Sequence, residues 1–151
     1  ILRACSDIME QKIYKTFSTE QTEGIGAEIA NELLVDAALP RFVALYGDLG
    51  VGKTAFVRGF TSVISPDARV KSPTFALVNE YRGGGKTVYH FDMYRVNSWE
   101  DLYSTGFFDY LDAGCILVVE WSENIASAIP PDAIRITIQQ VDDNVRIIER
   151  G

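Results

Sequence analysis

The stretch Gly47-Asp48-Leu49-Gly50-Val51-Gly52-Lys53-Thr54 restricts the fold more than any other part of the chain. It matches G-x-x-x-x-G-K-[ST], a loop that cradles phosphates between a strand and a helix. Glycines let the backbone turn tightly and bring N–H groups close to an anion, where a Cβ would intrude. Asp48, Leu49, Gly50, Val51 and Gly52 are therefore expected to line a nucleotide's phosphates. Lys53 is the mobile cation that reaches the β- and γ-phosphates, and the Thr54 hydroxyl is placed to ligate magnesium. A helix starting near Gly52 adds the positive end of its dipole beneath the same groups.

The flanks fit that context. Residues 41–46 form a nearly continuous apolar run, as a buried central strand should. Residues 54–64 carry Phe56, Val57, Phe60 and Ile64 at helical spacing, and Pro66 follows as a stop. A phosphate-binding strand–loop–helix unit implies an α/β fold: a three-layer P-loop nucleotide hydrolase-like domain, with helices flanking the sheet.

Other elements fill in around this unit. Residues 12–17 alternate as an edge strand, and Ser18-Thr19-Glu20-Gln21 reads as a capping box. The helix that follows presents Ile25, Ile29, Leu33 and Leu34 along one face. This strand-to-helix corner either borders the adenine or serves only as a cap. Two β-type runs, 75–81 and 87–91, flank Arg82-Gly83-Gly84-Gly85-Lys86 as a hairpin, so the sheet must mix parallel and antiparallel strands. Ser98-Trp99-Glu100-Asp101 resembles another helix start. Residues 134–138 and 145–149 alternate around Asp142-Asp143-Asn144 as a closing hairpin.

Two strand-end acids are candidates for chemistry. Residues 115–119 form a short apolar run that ends in Glu120, the pattern of the metal-side carboxylate in phosphate-loop proteins. A Glu at the end of a buried strand is costly without a partner or a metal. The run 87–91 ends in Asp92, where it either orients water and helps hold magnesium or caps the next turn. His90 reads as a packed or hydrogen-bonded histidine rather than a catalytic one. Pro73 biases Ser72 toward extended backbone, so Ser72 and Thr74 sit on a loop of the kind that senses a γ-phosphate. Arg146 reads as solvent-facing, with the nucleotide as its alternative.

Composition sets limits. At 151 residues, 47% hydrophobic and 23% charged, the chain is one globular domain: residues 12–151, behind a leader at 1–11 that shows no periodicity. A net charge of −7 argues against a broad basic face for nucleic acid, so any RNA is expected to be held by a partner. No apolar run is long enough to span a membrane. Cys5 and Cys115 are few and far apart, which fits a reduced, cytoplasmic protein. The start Ile1-Leu2-Arg3 has neither a methionine nor a signal-peptide pattern, placing the expected native terminus upstream.

Four motifs occur in fixed order: the phosphate loop, Ser72-Pro73-Thr74-Phe75, His90-Phe91-Asp92-Met93-Tyr94-Arg95, and Val119-Glu120-Trp121-Ser122-Glu123. Together they resemble the bacterial ATPase family TsaE (also called YjeE), over residues 16–149. The resemblance implies a slow, magnesium-dependent ATPase binding ATP or ADP, required for the threonylcarbamoyladenosine modification of tRNA. It implies the partners TsaD and TsaB, with tRNA reached only through that complex. By position it gives Lys53 to the phosphates, Thr54 and Glu120 to magnesium, and Ser72, Thr74 and Asp92 to nucleotide-sensing loops. Asp92 is the second candidate at the metal, Lys53, Asp92 and Glu120 are the catalytic candidates, and Trp121 lies near the site. A small-molecule or nucleoside kinase is the alternative; it needs an acceptor pocket and an arginine-bearing lid, which no stretch here resembles. A guanine-nucleotide switch would need an Asn-Lys-x-Asp motif, and the chain has none.

Overall fold

A computed structural model of the chain describes residues 11–48, 50–73, 77–83, 85–111 and 115–151. Leu49 and Thr74, two of the expected phosphate contacts, lie outside the described residues, as does nearly all of the expected leader.

A seven-stranded sheet forms the middle layer, in the order β1-β7-β6-β2-β5-β4-β3. Its centre is parallel: β2 (Phe42–Tyr46) lies between β6 (Ile134–Asp142) and β5 (Ile116–Glu120), and β4 (Lys86–Asp92) runs parallel beside β5. Both margins are antiparallel. β3 (Val78–Gly83) folds back on β4, while β7 (Val145–Arg150) joins β6 to the edge strand β1 (Lys12–Thr16). The sheet is therefore mixed, as the glycine-rich hairpin requires.

Side-chain alternation divides the core between two faces. Val43 and Leu45 of β2, with Ile116 and Val118 of β5, point to a layer built from α1 (Thr19–Val35) and α2 (Lys53–Ile64). Phe42, Ala44, Leu117 and Val119 point the other way, against α3 (Trp99–Ser104), α4 (Phe107–Leu111) and a 3₁₀ segment at Ser122–Ala128. Among the described residues, no helix is long and apolar enough to cross a membrane.

Both capping boxes form. Ser18 Oγ accepts from the Gln21 amide at 3.1 Å, and Gln21 Oε1 accepts from the Phe17 amide at 2.7 Å. Ser98 and Asp101 repeat this pattern at α3, with Asp101 accepting from the Asn97 amide at 3.0 Å. In α1, Ile29 and Leu33 are buried as expected, whereas Leu34 is 40% exposed. The inner stripe instead runs through Thr22, Gly26 and Ala30, because α1 packs on α2 with its backbone rather than with large side chains. At Gly26 an added Cβ would stand 2.1 Å from Phe56 O, and at Gly59 it would stand 1.8 Å from Glu23 O. Two glycines thus let the helices touch main chain to main chain, and this crossing seats the helix that starts at Lys53.

Candidate functional site

β2 ends at Tyr46, and the chain turns through Gly47 into the loop before α2. Gly50 and Gly52 both have positive φ, 78° and 112°, a region that costs a side-chain-bearing residue energy. Gly52 is the N-cap of α2 and provides no side-chain cap, so the first amides of a three-turn helix open toward the loop. Val51 is buried and anchors the loop, while Asp48 and Gly50 are exposed. Thr54 lies half-buried in the first turn of α2, next to Lys53.

Lys53 is 4% exposed. Its Nζ donates to Gly47 O at 2.5 Å and lies 3.7 Å from the centre of the Trp121 ring, a close cation–π contact. Burial pushes the Lys53 ammonium below its usual pKa, opposed by the nearby carboxylates of Glu120, Glu123, Asp92 and Asp48. Four acids thus act on one cation.

Asp92 and Glu120 end neighbouring parallel strands and are register partners. Both are buried, and the alternation of their strands turns both toward the face of α2. Asp92 Oδ1 accepts from the Tyr94 amide at 2.9 Å, the local capping contact, while Oδ2 lies 3.5 Å from Ser72 Oγ. The capping reading of Asp92 thus has its counterpart, and the carboxylate also faces the Ser72 loop. Glu120 Oε2 lies 2.5 Å from His90 Nε2. The partner required by a buried carboxylate is therefore a histidine two positions before Asp92.

Trp121 follows Glu120 with φ 58° and ψ 42°, a left-handed conformation uncommon for a bulky residue. Strain of this kind costs about 1–3 kcal/mol and persists where the surroundings over-determine it. Here Lys53 lies over the ring and Tyr94 packs at 5.0 Å between centroids. The only other non-glycine positive φ among the described residues is at Leu77, whose carbonyl accepts from the Asp92 amide at 3.1 Å.

Three residues take parts in the site that their sequence context did not reveal. Glu123 Oε2 accepts from the Gly47 amide at 3.3 Å, setting a carboxylate against the phosphate loop. Arg146 is not directed simply to solvent. Its Nε donates to Val51 O at 2.7 Å, and its Nη1 reaches the carbonyls of Asp142, Asp143 and Val145 at 3.3 Å each. The guanidinium ties the phosphate loop to the β6–β7 turn, and with Ser18, Thr19, Thr22, Gly52, Ala55 and Asn144 it lines a cleft beside Gly52. His90 is the third: it is buried and hydrogen-bonded as expected, but its partner, Glu120, is what the sequence did not name. None has a local sequence signal, since each contact joins residues remote in the chain. Arg58, on the outer side of α2, is paired with Glu23 at 2.9 Å.

The donor set suits magnesium on phosphate better than a protein-only metal cage. Among the described residues no group of three or more His, Cys, Asp or Glu could hold a metal ion. Magnesium keeps several waters and takes one or two carboxylates plus substrate phosphates. Thr54, Glu120 and Asp92 are hard oxygen donors of that kind.

The chain matches a family model described as Threonylcarbamoyl adenosine biosynthesis protein TsaE over residues 16–148. A tRNA threonylcarbamoyladenosine biosynthesis protein TsaE of Haemophilus influenzae is 41% identical over 124 residues, covering 81% of this chain and 77% of that one. Its namesake in Bacillus subtilis is 34% identical over 142 residues, covering 93% and 85%. The crystal structure of Bacillus subtilis YdiB superimposes with a TM-score of 0.74 at 29% identity, covering 93% of this chain and 84% of that one.

Proposed function

The chain belongs to the TsaE family and has that family's role in tRNA threonylcarbamoyladenosine biosynthesis, and from this premise we propose that it is a magnesium-dependent ATPase. ATP binds at the phosphate loop and is hydrolysed to ADP and phosphate, slowly in the isolated chain and faster when TsaD and TsaB dock.

One observation carries this reading: an uncapped helix N-terminus behind two positive-φ glycines, with Lys53 beside it and two paired strand-end acids acting on the same ammonium. Backbone amides and a helix dipole favour an anion at that point. The acids disfavour one, so a polyphosphate needs a divalent counter-ion to enter. Thr54, Glu120 and Asp92 would hold it, and magnesium bound there would neutralise charge on the transferring phosphate. The cleft lined by Thr22, Asn144 and Arg146 lies beside Gly52, on the side toward which the base and ribose would extend.

The protein's own groups have separate tasks. Lys53 exchanges its bond to Gly47 O for phosphate oxygens, and Trp121 keeps water from its ammonium. Asp92, buried beside Ser72, orients the attacking water. Turnover alone is slow because the added cation at the transferring group, worth roughly 10³–10⁵ in rate, comes with the partner. Calorimetry with magnesium–ATP and magnesium–GTP, together with phosphate release measured with and without TsaD–TsaB, tests the proposal. ATP-selective binding and stimulated release are expected. An absence of binding heat, or unaided turnover at ordinary enzyme speed, would refute it.

A further inference from the structure

A line of hydrogen bonds joins Glu120 to a loop that this carboxylate does not touch directly. From Glu120, the line passes to His90 Nε2 at 2.5 Å and from His90 Nδ1 to Tyr81 Oη at 3.3 Å. It ends on the backbone of Lys71, whose N and O lie 3.3 and 3.2 Å from Tyr81 Oη. His90 is fully buried, and Tyr81 and Glu120 are nearly so. The next residue, Ser72, faces Asp92 at 3.5 Å. One short loop thus meets Asp92 directly and Glu120 through two intermediaries.

Hydrogen-bond chemistry sets the order of donors. A carboxylate only accepts, so His90 Nε2 carries the proton on that side. With that proton on Nε2, Nδ1 accepts from the Tyr81 hydroxyl, whose oxygen accepts from the Lys71 N–H. The Lys71 carbonyl retains a donor in Asn79 Nδ2 at 3.0 Å. Each group in the line has a partner, and the direction is consistent from end to end.

We infer that Tyr81 and His90 are positioning residues that lock the orientation of Glu120 to the placement of the Lys71–Pro73 loop, so that neither rearranges without the other. The proposal builds on the reading of Glu120 as a magnesium-side carboxylate. It adds that the loop before Thr74 reports its state to that carboxylate through β3 and β4 rather than through the ligand. Tyr81 and His90 sit on adjacent antiparallel strands, which gives the link a rigid base.

Three substitutions separate its halves. Tyr81→Phe removes the hydroxyl and keeps the ring. His90→Gln keeps an N–H near the Nε2 position and drops the contact to Tyr81, whereas His90→Asn does the reverse. Amide exchange at Lys71 in the ligand-free protein should rise about tenfold in Tyr81→Phe, which loses the acceptor of that amide, and stay near the parent rate in His90→Asn. Calorimetric affinity for ATP with magnesium should fall about tenfold in His90→Asn and recover in His90→Gln, with affinity in chelator unchanged. In the parent, magnesium–ATP should slow Lys71 exchange further; in Tyr81→Phe it should not.

Parent-like Lys71 exchange in Tyr81→Phe would overturn the inference, as would equal magnesium-dependent affinity in the two His90 variants. If His90→Asn does not fold, Tyr81→Phe still decides the loop half. The ligand-free exchange measurement needs no nucleotide, so a chain that binds no ATP would sink the proposed function while leaving this link separately tested.

Discussion

Replacing Gly59 with alanine should force apart two helices that touch through their backbones. The new Cβ would lie 1.8 Å from Glu23 O and 2.4 Å from Glu23 C. Carbon–oxygen pairs settle at about 3.3 Å or more, so α2 would have to retreat from α1 by about 1.5 Å. Overpacking costs roughly 1–3 kcal/mol, and a main-chain obstacle that no rotamer change can relieve places this case at the upper end. Alanine's better helix propensity returns about 1 kcal/mol, leaving a net loss of about 2 kcal/mol. For a domain of this size that is a fall in Tm of about 4–8 °C. Gly24, also in α1, has nothing within 4 Å of its would-be Cβ, so Gly24→Ala should gain up to about 1 kcal/mol from propensity alone. Thermal melts of the parent and both variants, followed by circular dichroism, make the comparison. A Gly59→Ala chain as stable as the parent would refute the close crossing. A destabilised Gly24→Ala would show that propensity is not what separates the two sites.

Lys53→Met should abolish ATP binding by calorimetry yet melt no lower than the parent, because it removes an ammonium whose burial disfavours charge. The same depressed pKa means that the unfolded chain binds more protons between the folded value and 10.5, so parental stability from this group should rise with pH across that window and the variant should lose that slope. Glu120→Ala should weaken magnesium-dependent affinity at least tenfold, about 1.4 kcal/mol, while Asp92→Ala should lower hydrolysis more than affinity; paired titrations and phosphate-release assays separate them. Arg146→Met should cost about tenfold in ATP affinity by freeing the loop at Val51. Arg146→Lys should not restore it, since an ammonium does not span the loop and the β6–β7 turn as a guanidinium fork does.

Features written in short stretches were legible in the sequence. The phosphate loop with its strand and helix, both capping boxes, both hairpins and the two strand-end acids follow from spacing within a dozen residues, and local sterics and periodicity act at that range. What escaped depends on which strands become neighbours. His90 meets Glu120 because β4 lies beside β5, and no pattern within either strand announces that adjacency. Arg146 reaches Val51 across 95 positions, so as a polar residue in an alternating terminal strand it reads as solvent-facing. Leu34 misled for a related reason: a helical apolar stripe does not say which edge packs, and glycine contact with α2 moved the buried edge to Thr22, Gly26 and Ala30. Cys115 is intermediate in exposure just ahead of β5, so the apolar run begins burial one residue later than it reads.

The contact between Lys53 and Trp121 also supplies an optical probe. Indole emission responds to a cation against its face, and this ammonium lies 3.7 Å from the ring centre. The chain has two tryptophans, and the other, Trp99, is 51% exposed on α3. A Trp99→Phe background would leave a single indole, in contact with the phosphate-loop lysine. Its spectrum would then record, without any label, when Lys53 turns from the Gly47 carbonyl toward an incoming anion.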